Sequence, residues 1–124
     1  MNKFLCTLIV LVGFATISYS QSSMTLANSE GKVALMESKV SGEYIFTMPE
    51  RVDQAMVEKN SAFYVAYFSV AFDETSKVTK INMVENEAQS RIVIARFLTS
   101  CGVREIQIDE QEVNMTDFIT NYLN

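Results

Sequence analysis

The strongest strand pattern along the chain lies at residues 63–72, where apolar side chains fall on both faces. Tyr64, Phe68, Val70 and Phe72 fall on one side of an extended segment, and Phe63, Val65 and Tyr67 on the other. That spacing predicts a strand over 63–72, central because both faces are apolar. The polar run Asp73-Glu74-Thr75-Ser76 predicts a turn. A second strand follows from Lys77 to Val84, with Thr79, Ile81 and Met83 on its inner side. Together these make a hairpin. The period then changes. Ser90, Val93, Ile94, Phe97, Leu98 and Cys101 recur at the spacing of one helical face. Asn86 and Gln89 stand in the cap-box relation at its start, and Gly102 ends it.

Upstream, Tyr44, Phe46 and Met48 share one face of a strand, with Ile45 and Thr47 opposite. Residues 32–40 could be a strand that turns at Ser41-Gly42 or a short helix ended by Gly42; the strand is the preferred reading. Met48-Pro49-Glu50 predicts a helix start, since proline loses nothing in a first turn and Glu50 and Asp53 suit the positive end of a helix dipole. Val52, Ala55 and Met56 give it a short apolar stripe, and Asn60 is a candidate C-terminal cap. Beyond Gly102, Val103 to Ile108 predicts a strand, Asp109 to Glu112 an acidic turn, and the segment from about Thr116 a short closing helix with Phe118 and Tyr122 on one side.

From residue 43 the order is strand, helix, strand, strand, helix, strand. That is the ferredoxin-like split βαβ arrangement of an α+β domain, with an antiparallel sheet and helices on one face. An extra N-terminal strand or hairpin and a short C-terminal helix complete the expectation. Two apolar faces on 63–72 sit awkwardly with a sheet covered on one side, so a leader segment, the last helix or a partner chain is expected over the second face.

The N-terminus has a different design. Met1-Asn2-Lys3 carries one positive charge, Phe4 to Ile17 carries none, and Ser18-Tyr19-Ser20 puts small residues at −3 and −1 of a cut before Gln21. This is the layout of a secretory signal peptide. The apolar core is shorter than the roughly 20 residues that span a membrane. The expected organisation is a signal at 1–20, a loose Ser- and Asn-containing leader at 21–31, and one α+β domain at 32–124. The expected location is outside the cytoplasm, in a periplasm or the medium, with no membrane attachment after cleavage.

Cleavage at residue 20 removes Lys3 and leaves nine basic against 15 acidic groups, a net charge of −6. A field of that sign repels phosphate backbones, which disfavours nucleic-acid binding, and no nucleic-acid partner is expected. Of two cysteines only Cys101 remains, so no internal disulfide can close. The chain has no histidine. This removes the usual near-neutral acid–base group, the Ser-His and Cys-His nucleophiles and imidazole ligation of zinc. Glycines are too few for a phosphate-cradling loop. No catalytic, cofactor-binding or metal-binding residue is assigned. Cys101 lies on an apolar stripe at a helix C-terminus, where the dipole opposes a thiolate, and is expected to be structural. Asp109, Glu110, Glu112 and Asp117 lack the spacing of a calcium loop.

Residues 43–108 resemble a heavy-metal-associated domain in length and element order. The likeness rests on Val70-Ala71-Phe72-Asp73-Glu74-Thr75-Ser76-Lys77-Val78-Thr79 and on Ile94-Ala95-Arg96-Phe97-Leu98-Thr99-Ser100-Cys101-Gly102-Val103. That family binds soft metals through Cys-x-x-Cys before its first helix. Here the corresponding loop reads Thr47-Met48-Pro49-Glu50-Arg51. The resemblance therefore implies a ferredoxin-like scaffold without the family's ligands.

The expected function is a non-enzymatic, exported module that binds a protein or peptide. Phe63, Tyr64, Tyr67 and Phe68 form the candidate interaction face, since large exposed apolar patches mark such sites. The competing expectation is sheet core. An alternative function is periplasmic handling of copper(I) or calcium with non-cysteine ligands, for which Met48 and Met56 are the candidate thioethers. A hydrolase using carboxylates alone ranks last.

Overall fold

The computed structural model describes residues 24–124. The expected signal at 1–20 and the first residues of the expected leader lie outside the described residues. The elements are β1 (Leu26–Ser29), α1 (Lys32–Ser41), β2 (Glu43–Thr47), α2 (Gln54–Ser61), a 3-10 turn (Ala62–Tyr64), β3 (Phe68–Asp73) and β4 (Val78–Met83). Then follow α3 (Ala88–Ser100), β5 (Glu105–Ile108), β6 (Gln111–Asn114) and α4 (Met115–Phe118), which continues as a wider turn to Leu123. The fold is α+β. Six strands form one mixed sheet in the order β3-β4-β2-β1-β5-β6, in which β1 and β5 run parallel and every other pair is antiparallel.

The hairpin expected from alternation is present, with Phe68 opposite Met83 and Asp73 opposite Val78. Its turn is closed by Asp73, whose carboxylate accepts the Thr75 N–H at 3.0 Å and whose carbonyl accepts the Lys77 N–H at 2.7 Å. One face of the sheet is consistently buried: Tyr44 and Phe46 on β2, Ile81 on β4, Phe68 on β3, Ala27 on β1, Ile106 and Ile108 on β5. Against it lie Ile94, Phe97 and Leu98 of α3 and Phe118 and Leu123 of the C-terminal helix. Phe46 and Phe118 meet edge to face with ring centroids 5.9 Å apart. The helical stripe read at 90–101 is thus the wall of the interior, and burial of its apolar area drives the docking of α3. Gly102 ends that helix in the left-handed region, φ +86°.

Several expectations are corrected. Residues 32–41 are a helix, not a strand: Gly42 adopts φ 78° and returns its N–H to the Ser38 carbonyl, a left-handed C-terminal cap. The leader is not loose throughout, because Leu26–Ser29 pairs with both β2 and β5 inside the sheet. Residues 63–67 are not strand but a tight turn, and β3 begins only at Phe68. The doubled apolar face assigned to 63–72 therefore does not exist. Within β3 the outer positions Ser69, Ala71 and Asp73 are exposed and the alternation is ordinary.

Helix α2 starts at Gln54 rather than beside Pro49, since the Asp53 carboxylate accepts the Met56 N–H at 2.8 Å and caps it. Asn60 is no cap; its amide reaches Ser100 O at 3.3 Å. Asn86 caps nothing either. Its amide donates to Lys39 O at 2.6 Å and accepts from Arg91 at 3.0 Å, tying α1 to α3. The acidic turn is shorter than expected, and Gln111–Asn114 adds an edge strand. Helix α1 also departs from a one-sided helix layer. Leu35 joins the core, while Ala34 and Ser38 border a cleft with Glu43 and Ile45 of the opposite face.

Candidate functional site

The four residues expected to form an interaction face are divided by the turn at 62–67. Phe68, first residue of β3, is buried. Tyr64 is half-buried, stacked on Phe68 at 5.9 Å and edge-on to Phe97 at 6.3 Å. Phe63 and Tyr67 point outward, Phe63 with 75% of its surface exposed. The four residues thus divide between two environments. Tyr64 and Phe68 belong to the interior, and Phe63 and Tyr67 to the surface.

Sequence reasoning missed three neighbours of that surface. Val65, in the same turn, is 71% exposed and Val84, directly after β4, 64%. The Val84 N–H donates to the Tyr67 carbonyl at 2.9 Å, so the two segments are joined. Val40 is exposed at the end of α1, and Asn86 fastens that helix end to the segment after β4. The start of β3, the end of β4 and the start of β2 lie at one end of the sheet, since Phe68 pairs with Met83 and Glu43 with Asn82. Five exposed apolar side chains therefore come from three segments that converge there. Val33 and Met36 continue the series along the outer side of α1 at the 3–4 spacing of one helical face. The missed signal was this spacing: Val33, Met36 and Val40 are periodic, but their stripe faces water rather than the core.

Fully burying one large apolar side chain is worth about 1.5–3 kcal/mol, a gain the fold leaves unrealised at Phe63. Glu85 and Glu87 are exposed beside Val84. Among the described residues the one ion pair joins Lys80 and Glu43 at 3.7 Å on the opposite, open side of β4 and β2. Among the described residues neither Glu85 nor Glu87 is part of an ion pair.

The other candidates sit where they serve the fold. Cys101 is buried, and burial pushes its thiol pKa up. Asn60 donates to its sulfur at 3.7 Å. Met48 is buried in the core and Met56 packs against it, as methionine does when it fills gaps. Asp109 closes the β5–β6 turn with φ 54° and accepts the Lys32 N–H at 3.3 Å. Glu110 and Glu112 are exposed on the same hairpin. Among the described residues no group of three or more His, Cys, Asp or Glu side chains is gathered for a metal ion. Among them, too, no helix is long and apolar enough to cross a membrane.

No family model matches the chain, and no curated protein and no solved structure matches it.

Proposed function

We propose that this chain is a small exported, non-enzymatic module that binds a protein through the turn at Phe63, Val65 and Tyr67 with Val84 beside it. The observation that carries the reading is the exposure of these apolar side chains at one sheet end, next to a core that has no need of them. Scattered apolar residues on a surface are ordinary, whereas a cluster from converging segments marks an interaction site. Aromatic residues are the usual anchors of such interfaces. The partner is a folded protein that offers an apolar depression with a basic rim. Glu85 and Glu87 border the patch, and the chain after residue 20 carries a net charge of −6, from nine basic and 15 acidic groups. Opposite charges at a rim steer encounter and fix register.

The scaffold reading that accompanies this is a ferredoxin-like core. The relative succession β3, β4, β2, β5 supports this reading, while β1 separates β2 from β5 and β6 is added outside. Kinship to metal-carrier domains would then be kinship of scaffold alone, since Met48 of the loop before α2 is core. A shared scaffold does not transfer a function.

A photo-reactive amino acid at Val65, incorporated in the producing cell, tests the proposal. The expected result is one discrete cross-linked protein that disappears when Phe63→Asp is added. Cross-linking that is absent, or that persists unchanged with Phe63→Asp, overturns it.

A further inference from the structure

A second surface has a different chemistry. A cleft of about 540 Å³ opens between α3 and the C-terminal helix, on the outer side of the helix layer. Ile92, Ala95, Met115 and Ile119 give it apolar walls, and the Tyr64 ring closes one end. The α3 residues come from positions 92, 95, 96 and 99, a helical face adjacent to the one that packs on the sheet. Ala95 forms its floor and is itself buried.

Charge separates this cleft from its neighbours. The cleft beside α1 is lined by Glu30, Glu37 and Glu43, and the one at the β5–β6 hairpin by Asp109 and Glu110 with Lys32. The α3 cleft has no carboxylate in its lining and holds Arg96. Arg51 and Arg91 are engaged internally: Arg51 donates to Met24 O and Gly102 O, Arg91 to Leu123 O and Asn86. The Arg96 guanidinium has no ion pair or hydrogen bond among the described residues. In an acidic chain, this is a local site for an anion.

We infer that this cleft binds a single aliphatic chain with a carboxylate head, a medium-chain fatty acid, with Arg96 receiving the carboxylate and Ile92, Ala95, Met115 and Ile119 receiving the tail. Its lining pairs apolar walls with one charged group that can fix orientation, as small-molecule sites do. Guanidinium and carboxylate match in a bidentate geometry. A peptide is disfavoured by the same lining. The Thr99 hydroxyl already donates to Ala95 O at 2.8 Å, and the α3 wall comes from the body of a helix whose main-chain groups bond internally. Peptide amides placed there would stay unpaired, which is costly. A tail without polar atoms incurs no such penalty.

The test is calorimetric titration of the protein with dodecanoate and with dodecanol, each below its aggregation limit, with amide chemical shifts followed by NMR. Dodecanoate is expected to bind with shifts confined to residues 92–99 and 115–119. Arg96→Gln, at an exposed position with no internal partner, is expected to weaken dodecanoate about tenfold and leave dodecanol unchanged, tenfold being about 1.4 kcal/mol. Equal binding of the two probes, an unaffected Arg96→Gln variant, or shifts centred on the Phe63 turn would overturn the assignment. So would tighter binding of a short peptide with an apolar C-terminal residue. Loss of protein binding at Phe63 would leave these outcomes untouched, because the surfaces differ.

Discussion

Phe68 and Phe97 meet edge to face across the interior, their ring centroids 5.9 Å apart and their planes at 66°. One ring opens β3 and the other lies in the last turn of α3, so this contact joins the hairpin to the helix layer. Tyr64 completes the cluster from the preceding turn. The same short segment thus sends Tyr64 inward while leaving Phe63 and Val65 in water.

Truncating this cluster should be costly. Phe97→Ala is expected to lose about 3–5 kcal/mol, as large buried aromatics do. That is a large part of the roughly 5–15 kcal/mol that holds a domain folded. Urea unfolding of Phe68→Leu, Phe97→Leu and the double variant should show a coupling of about 0.5–1.5 kcal/mol. Strictly additive losses would mean that the rings do not touch.

Thr79 is fully buried on β4, and its hydroxyl has no hydrogen-bond partner. An unsatisfied buried polar group costs about 1–3 kcal/mol. Thr79→Val keeps the shape and removes the hydroxyl, so it is expected to raise stability by about 1 kcal/mol in urea unfolding. A destabilised variant would show that the hydroxyl is satisfied.

Tyr44 is the other buried hydroxyl without a partner. Burial pushes its pKa from 10.0 up to about 12, against a smaller opposing pull from Arg91. The native state therefore disfavours the phenolate that the unfolded chain forms near pH 10. Stability from this group is complete below pH 10 and declines as pH rises towards 12, by at most about 2–3 kcal/mol. Tyr44→Phe should flatten that alkaline decline in thermal unfolding scans. An identical decline in both proteins would assign it to other groups.

Gly102 combines a left-handed backbone, φ +86°, with a close approach of Arg51, whose guanidinium occupies the space a Cβ would take. Left-handed backbone costs an ordinary residue about 1–2 kcal/mol, before any collision. Gly102→Ala should lower Tm by at least about 4 °C, since 1 kcal/mol shifts a domain of this size by about 4–8 °C. Adding Arg51→Ala should recover part of the loss by relieving the collision. A second loss that simply adds would show that the two do not meet.

What the sequence made legible follows from where burial and periodicity agree. Helix α3 and the β3–β4 hairpin were readable because their apolar residues face the core at a single period. Helix α1 was not, because its periodic apolar residues Val33, Met36 and Val40 face water and only Leu35 and Ser38 are buried. With two β-branched residues and so narrow a buried face, its pattern is close to that of a strand. The start of β3 was misplaced because Phe63 to Phe68 is apolar almost throughout, and an unbroken apolar run has no period. Strand β1 was hidden by composition: Leu26-Ala27-Asn28-Ser29 offers one small buried residue, Ala27. Its pairing with β5 joins residues 79 apart in sequence and leaves no local trace. Of the candidate face, aromatic density was visible, but which rings turn outward depended on that turn.

The exposed turn is tested most directly by labelling. Cys101 is buried with its thiol pKa raised, so on the proposed removal of residues 1–20 a Phe63→Cys variant carries one reactive thiol. The rate of maleimide labelling is compared between the purified protein and the protein in its producing cell. The account expects rapid labelling when purified and labelling at least tenfold slower in place, where the partner covers the turn. Slow labelling of the purified protein, or equal rates in both settings, would contradict it.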